Sequence, residues 1–508
     1  MINILIGRAY GHSRADGRGL DKAEVFQAIT FPSANPVKSY YTYIVYTNSR
    51  SKSILSFSGG DPTDTFYSLV SSVNSALWGV PLLVAFTGTG LLLSVRSGFF
   101  QLTHIGTWMK TTLGSILGKK SRRSGEGSIS QTQALSAALA ACMGTGNIVG
   151  VAAAVASGGA GAVFWMVISA IIGMMSACCE NILGIKYRCR DKNGEWMGGA
   201  FLYMERGLGF KKTAKIFCVL LVAASLGIGN MTQANAAALS LRGSFGLSPA
   251  ITGAVLAVGV FAVTCGGLKR IASAAEKIIP AMTAIFILAS FAVIAKNFRA
   301  VPSAFCRIIS EAFSLRAAAG GAAGCGIKKA LRYGVARGVF SNEAGLGSNA
   351  IIHAAAETDS PAEQGCWGIL EVFLDTVVMC TVTAITLLVS GVPIDGDGSL
   401  ACAAAFGSVF GAAGSVFVCL SVCVFAFATL IGWSYYGRRG LEYLLGEKSA
   451  GIYNLIYSAA VFVGCVTDLR LIWELSDLAN ALMAVPNLIS LCLLGGEATE
   501  ELKKTYPK

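Results

Sequence analysis

Long apolar stretches dominate the chain from about residue 74 to residue 494, and short polar segments separate them. An α-helix needs about 20 consecutive apolar residues to cross a lipid bilayer. The pattern therefore predicts an all-α polytopic membrane protein with about eleven transmembrane helices. The predicted spans are 74–95, 132–157, 162–185, 214–240, 249–267, 275–296, 312–335, 369–392, 401–432, 451–467 and 471–494.

Composition agrees with a chain that lies in lipid. Of its 508 residues, 54% are hydrophobic and only 13% are charged, whereas soluble domains average about 25% charged residues. This composition excludes a soluble or disordered chain. The net charge of +12 does not indicate nucleic acid as a partner, because no basic stripe with interleaved aromatic residues is present.

Clusters of Lys and Arg in alternate loops give the orientation. Loops with excess positive charge stay in the cytoplasm, which places the N-terminus outside and the C-terminus in the cytoplasm of a multi-pass cell-membrane protein. The clusters lie at 119–123, 186–192, 269–270, 332–337, 438–439 and 503–504.

Residues 1–66 do not fit this orientation, because their first 65 residues carry seven Lys or Arg and no apolar core of a signal peptide. We interpret them as an N-terminal extension. It comes either from a start codon assigned too far upstream or from a real extracytoplasmic segment. The transporter domain is then expected at 67–495, with a cytoplasmic tail at 496–508.

The ten spans after the first divide into two sets of five, at about 132–311 and 312–494. Halves with an odd number of spans insert in opposite orientations, so the division predicts an inverted repeat after one peripheral helix. Paired, glycine-interrupted helices at matching positions are a sequence sign of a transporter site. Such interruptions occur at 143–147 (MGTGN) and at 320–326 (GGAAGCG), although glycines also serve close helix packing.

An interrupted helix exposes backbone groups that must face a cavity. The amide end of a half-helix suits a carboxylate, and carbonyl oxygens suit a small hard cation. No charged residue lies between Leu135 and Gly158. The pattern therefore favours binding of an amino-acid zwitterion together with Na+.

Several motifs closely resemble the alanine or glycine:cation symporter family over about residues 67–495. They are MGTGNIVGVA at 143–152, GGAGAVFWM at 158–166, RGVFSNEAGLGS at 337–348, FLDT at 373–376, GWSYYG at 432–437 and MAVPN at 483–487. The resemblance implies a leucine-transporter-type 5+5 inverted repeat. It also implies Na+-driven import of alanine or glycine by alternating access, without enzymatic activity or a cofactor.

The resemblance also implies the site residues. For substrate binding these are Thr145, Gly146, Asn147, Gln233, Gly320, Gly321, Gly324 and Trp433. For cation binding they are Ala140, Met143, Asn147 and Thr429. Two departures from the family pattern are Ala428, where a hydroxyl residue is usual, and Ala160, where a proline is common. The first departure removes one possible Na+ ligand.

Acidic residues in membrane spans are functional candidates. Glu371 and Asp375 stand four residues apart, and Glu474 and Asp477 lie near another span. We expect both pairs toward helix ends, in gating or structural roles. Glu343, in the motif SNEAG, is expected to cap or latch a cytoplasmic gate.

Three alternatives remain open at the level of sequence. A proton could replace Na+ as the coupling ion for another small neutral amino acid. A channel or an intramembrane enzyme would belong to a different class. The three histidines are isolated and none of the 15 cysteines forms a Cys-x-x-Cys pair, so no transition-metal site is expected.

Overall fold

The computed structural model describes residues 27–31, 41–45, 62–117, 128–314, 325–358, 360–394 and 398–507. The chain divides into two compact units, Met1–Leu69 and Val70–Lys508. The first unit contains an antiparallel pair of strands, β1 (Gln27–Phe31) and β2 (Tyr41–Val45). A second short pair, β3 (Cys189–Arg190) and β4 (Trp196–Met197), lies in the second unit.

The rest of the described chain is almost entirely helical. Its helices are α1 Pro62–Leu77, α2 Val80–Arg96, α3 Phe100–Thr103, α4 Ile105–Thr111, α5 Leu113–Leu117, α6 Gln131–Cys142, α7 Val149–Gly158, α8 Gly161–Lys186, α9 Ala200–Leu202, α10 Lys211–Leu226, α11 Thr232–Phe245, α12 Pro249–Thr264, α13 Gly267–Lys296, α14 Val301–Ala312, α15 Cys325–Asn342, α16 Asn349–His353, α17 Pro361–Val372, α18 Thr381–Ser390, α19 Gly398–Phe410, α20 Ala412–Leu445, α21 Ser449–Val466 and α22 Arg470–Thr505. Short 3₁₀ turns lie at Thr145–Asn147 and Phe298–Ala300, and π-helical segments at Tyr203–Gly207, Gly227–Met231 and Phe373–Cys380.

Eight helical stretches in the described chain are long and apolar enough to cross a membrane. They are Phe66–Arg96, Gly161–Lys186, Lys211–Phe245, Gly267–Lys296, Pro361–Ser390, Ala412–Leu445, Ser449–Val466 and Arg470–Thr505. The interrupted pair α6 and α7, the shorter α12 and the charged α15 provide the counterparts of the other predicted spans. The predicted all-helical, multi-pass fold is confirmed.

The helices form the expected inverted repeat of five plus five after one peripheral helix. The first repeat comprises α6/α7, α8, α10/α11, α12 and α13, and the second comprises α15/α16, α17/α18, α20, α21 and α22. Each repeat begins with a helix that is interrupted near its middle. We call the interruption at 143–148 the first break and the interruption at 343–348 the second break.

The position of the second break corrects the sequence analysis. The predicted span 312–335 is replaced by α15, which starts at Cys325 and ends at Asn342. Arg332 and Arg337 therefore lie inside a helix and not in a cytoplasmic loop. Gly320, Gly321 and Gly324, predicted to form the break, lie outside the described residues.

A second boundary also differs from the prediction. The span 401–432 is two helices, α19 and α20, because Gly411 adopts a φ of 61° and ends the first of them. A left-handed backbone conformation is available to glycine at little cost and terminates a helix. The sequence is apolar on both sides of Gly411, so its hydropathy did not indicate this turn.

Helix α15 packs tightly on α8, and this contact positions the second break. A Cβ atom on Gly334 would lie 2.3 Å from the carbonyl oxygen of Ala162, and one on Gly338 would lie 2.7 Å from Ser169 Oγ. Residues four apart share a helix face, so the two glycines let the helices approach closely.

Candidate functional site

The two breaks face each other across a central cavity with about 330 Å³ of empty space. The described residues that line it are Ala141, Cys142, Gly144, Gly146, Ile228, Gln233, Phe340, Glu343, Leu346, Thr429, Trp433 and Asn480.

Polar side chains of α11 meet the first break at the cavity wall. The backbone N–H and the hydroxyl of Thr145 both donate to Gln233 Oε1, at 3.3 and 2.9 Å. The Gln233 amide nitrogen donates in turn to the carbonyl of Ile228, at 3.2 Å. Ile228 lies in a π-helical segment, a local geometry that is frequent at functional sites.

Thr429 on α20 closes the other side of the first break. Its hydroxyl donates to the carbonyl oxygen of Ala140, at 3.1 Å. A Cβ atom on Gly144 would lie 2.5 Å from Thr429 Oγ1 and 3.1 Å from Gln233 Oε1. Only a glycine therefore lets this backbone approach both polar groups.

Trp433 lies one turn after Thr429 and forms a wall of the cavity. Its ring covers Gly229, where a Cβ atom would come within 2.3 Å of the indole. The ring of Tyr436 packs edge-on against Trp433 with centroids 5.4 Å apart. The Tyr436 hydroxyl donates to Asn349 Oδ1, at 3.1 Å, and thereby joins α20 to α16.

Asp375 is fully buried beside the first break, and its described hydrogen-bond donors are neutral. Its carboxylate accepts from Asn147 Nδ2 at 2.6 Å, from Ser341 Oγ at 2.8 Å and from Thr376 Oγ1 at 2.7 Å. The other polar atom of the Asn147 amide, Oδ1, is buried without a partner among the described residues. A buried carboxylate and an unpaired amide oxygen form a suitable environment for a small cation.

Met143 and Gly146 complete the first break. The N–H of Met143 donates to the carbonyl of Leu139, at 2.7 Å, and its sulfur accepts from the Thr283 hydroxyl, at 3.6 Å. A Cβ atom on Gly146 would lie 3.7 Å from the ring of Phe340. The Met143 side chain thus contacts α13, and Gly146 contacts the second repeat.

Glu343 is placed differently from the sequence prediction. We expected it at a cytoplasmic gate, but it follows the last residue of α15, is 2% exposed and lines the central cavity. The position differs because the second break lies after Asn342. The motif SNEAG therefore occupies the middle of an interrupted helix and not the end of a continuous one.

Glu371 and Asp375 also differ from the expectation that they lie toward helix ends. Both are fully buried in the central part of the stretch Pro361–Ser390. Glu371 Oε2 lies 3.0 Å from His353 Nε2, and the Gln364 amide lies 2.6 Å from His353 Nδ1. His353, which looks isolated in the sequence, is part of a buried polar chain.

Asp477 is near the start of α22, at a second space of about 650 Å³ that we call the vestibule. The Asp477 carbonyl accepts from Trp78 Nε1, at 3.2 Å. Arg337 also lines the vestibule, and Phe340 lines both the vestibule and the cavity. Phe340 therefore lies between the two spaces.

A buried polar cluster holds the second break. Glu180 Oε1 accepts from the Gly347 N–H at 3.0 Å and from Asn487 Nδ2 at 2.5 Å. Asn487 Nδ2 also donates to the Gly345 carbonyl, at 2.9 Å, and Asn487 Oδ1 accepts from the Tyr203 hydroxyl. Both glycines have positive φ angles, 94° at Gly345 and 81° at Gly347.

Sequence reasoning placed Gly146, Gln233, Thr429 and Trp433 in one site, and the structure brings all four to the cavity wall. Thr145, Asn147 and Ala140 contact these wall residues or Asp375. The cavity residues that were not predicted as site residues are Ala141, Cys142, Gly144, Ile228, Phe340, Leu346 and Asn480. The motif RGVFSNEAGLGS contains two of them, and it offered a signal for Phe340 and Leu346.

Metal-ligating residues do not cluster in the described part of the chain. No group of three or more His, Cys, Asp or Glu side chains there is arranged to hold a metal ion.

The inverted repeat, the paired breaks and the cavity between them define a membrane protein of the secondary symporter class. More specifically, the chain belongs to the sodium:alanine symporter family, whose model matches residues 63–508. This family consists of transporters and not of enzymes.

Two relatives illustrate the similarity. The sodium/alanine symporter AgcS of Methanococcus maripaludis is 41% identical over 447 residues, covering 86% of this chain and 97% of the relative. An uncharacterized transporter of Haemophilus influenzae is 41% identical over 448 residues, and the match covers 87% of this chain and 97% of the relative.

Among solved structures, a mutant of the manganese transporter of Eremococcus coleocola superposes with a TM-score of 0.50. The match covers 73% of this chain and 84% of that chain at 14% identity. At this identity the likeness concerns the fold alone.

Proposed function

We propose that the protein imports alanine, glycine or both together with Na+ by alternating access. The observation that carries this proposal is the small cavity between the two breaks, where polar side chains and exposed backbone meet. The cavity is small and has Trp433 as one wall, which favours a substrate with a small side chain. The similarity to AgcS of Methanococcus maripaludis, a sodium/alanine symporter, supports the same substrate and ion.

We place the substrate's carboxylate at the first break. The half-helix α7 points its N-terminal amides toward this region, and Thr145, Gly146 and Gln233 surround it. A helix N-terminus favours a negative charge.

We place Na+ on the other side of the first break, among Ala140, Met143, Asn147 and Thr429. The Ala140 carbonyl and the Thr429 hydroxyl already face each other, and Asn147 Oδ1 is buried without a partner in the described chain. Oxygen atoms of this kind are the ligands that hard cations prefer. Because Ala428 has no hydroxyl group, we expect few side-chain ligands in the proposed Na+ site.

Alternating access requires two gates. On one side, Phe340 lies between the cavity and the vestibule. On the other side, buried Arg439 forms ion pairs with Asp191 at 2.9 Å, Glu195 at 2.7 Å and Glu442 at 2.8 Å. We assign the vestibule to the outside and the Arg439 cluster to the cytoplasm, in keeping with the positive charge of the adjacent loops.

Transport into proteoliposomes tests the proposal. Labelled alanine should accumulate above equilibrium when Na+ is high outside, and it should not accumulate when K+ replaces Na+. Asn147→Ala should abolish accumulation, and protein-free liposomes give the background. Accumulation driven by a pH gradient without Na+ would establish proton coupling instead, and equilibration without accumulation would indicate a channel.

A further inference from the structure

Glu343 contributes a carboxylate to the wall of the central cavity. Among the described residues that line the cavity, it is the one charged side chain. It faces this space together with Phe340, Leu346 and Trp433. The other buried acids near the breaks, Asp375, Glu371 and Glu180, are not among the described lining residues.

The backbone of the second break fixes where Glu343 points. Its φ of 56° lies in the left-handed region. Residues other than glycine adopt this backbone conformation rarely and at an energetic cost. The Glu343 N–H still donates to the carbonyl of Val339, at 2.9 Å, and its carbonyl accepts from Leu346, at 3.0 Å. The residue thus ends one half-helix while its side chain turns to the cavity.

Neutral groups hold the carboxylate in place. The hydroxyl of Ser348 donates to Glu343 Oε2, at 2.6 Å, and the neutral Trp433 side chain lines the same cavity. Of the ion pairs formed by described residues, none includes Glu343. A buried carboxylate without a cationic partner is unfavourable, so a cationic ligand in the cavity would stabilise it.

An amino acid matches this arrangement of charge. The first break offers amides to the substrate's carboxylate, and the second break presents a negative group across the same cavity. We infer that Glu343 binds the α-ammonium group of the transported amino acid and sets the preference for amino over hydroxy acids. This inference rests on the proposed function.

The other cation available to Glu343 is Na+. Of the residues proposed for Na+, Thr429 lines the cavity together with Glu343, whereas Ala140, Met143 and Asn147 do not, and the Asn147 side chain contacts Asp375 instead. The geometry therefore favours the ammonium group for Glu343, and the Na+ response of a variant distinguishes the two.

The test compares alanine with lactate, in which a hydroxyl replaces the ammonium group. Competition against labelled alanine binding to purified protein gives both affinities in the wild type and in Glu343→Gln. The wild type should prefer alanine strongly. The variant should lose at least about tenfold in alanine affinity, as expected for a charged hydrogen bond, while lactate affinity changes little.

Glu205→Gln provides a control, because it neutralises a half-buried glutamate that lies outside the cavity and accepts a hydrogen bond from the Tyr443 hydroxyl. Its alanine-to-lactate preference should equal that of the wild type. Glu343→Asp keeps the charge and should retain most of the preference, which covers the case in which Glu343→Gln folds poorly.

Three results would overturn the inference. Equal losses for alanine and lactate in Glu343→Gln would indicate a structural role. A shift of the Na+ concentration for half-maximal binding, with the preference unchanged, would assign Glu343 to the cation. A wild type that binds lactate as well as alanine would remove the need for an ammonium partner, yet Na+-driven uptake would still support the proposed function.

Discussion

The two helix breaks serve different purposes although they occupy equivalent positions in the two repeats. The first break contains no charged residue, and its polar groups reach toward Gln233, Thr429 and Asp375. The second break contains Glu343 and two glycines with positive φ. Its backbone is bound from behind by Glu180 and Asn487.

This difference shows how an inverted repeat can become a specific site. The first break leaves the backbone of Gly144 and Gly146 at the central cavity. The second break is stabilised by side chains from α8 and α22, so its conformation depends on the scaffold. Variants of the first break should therefore affect binding, and variants behind the second break should affect stability.

The largest effect is expected from Gly144→Ala in the first break. The added methyl group would lie 2.5 Å from Thr429 Oγ1, so it would displace groups that the substrate and the ion require. Alanine uptake should fall at least about a hundredfold, while the unfolding temperature in detergent changes little. Gly150→Ala is the control, because nothing lies within 4 Å of its added Cβ. If Gly144→Ala transports normally, the first break does not form the binding surface.

The next effect concerns the scaffold behind the second break. Asn487→Ala removes the hydrogen bonds to Glu180, Gly345 and Tyr203, and it leaves buried polar groups without partners. The free energy of unfolding should fall by about 2–4 kcal/mol. Thermal unfolding in detergent measures this decrease in stability. Asn297→Ala is the control, because Asn297 is half-buried at the C-terminal end of α13. An unchanged unfolding temperature would mean that the second break does not depend on this cluster.

A smaller effect is expected from Thr429→Val. The variant keeps the shape of the side chain and removes the hydroxyl that faces the Ala140 carbonyl. We expect Na+ binding to lose about 1 kcal/mol of free energy. This loss should raise the Na+ concentration for half-maximal uptake about fivefold and leave the preference among amino acids unchanged. Thr386→Val, a buried hydroxyl on α18, is the control. A change in substrate preference with an unaltered Na+ response would contradict the assignment.

The sequence allowed the first break to be predicted because Gly144 and Gly146 interrupt an otherwise apolar span. The second break was missed because SNEAGLG is polar and follows a weakly apolar, basic stretch, so it resembles a loop beyond a helix end. Its role depends on Glu180 and Asn487, which lie far away in the sequence. The hydropathy of a segment indicates that it lies in lipid. It does not show which polar groups, far apart in the sequence, contact each other inside the helix bundle.

Binding of labelled alanine to the purified wild-type protein over a series of Na+ concentrations tests the central claim most directly. If both ligands occupy the first break together, alanine affinity should rise with Na+, and Na+ affinity should rise with alanine by the same factor. Alanine affinity that is independent of Na+ would contradict the proposed symport.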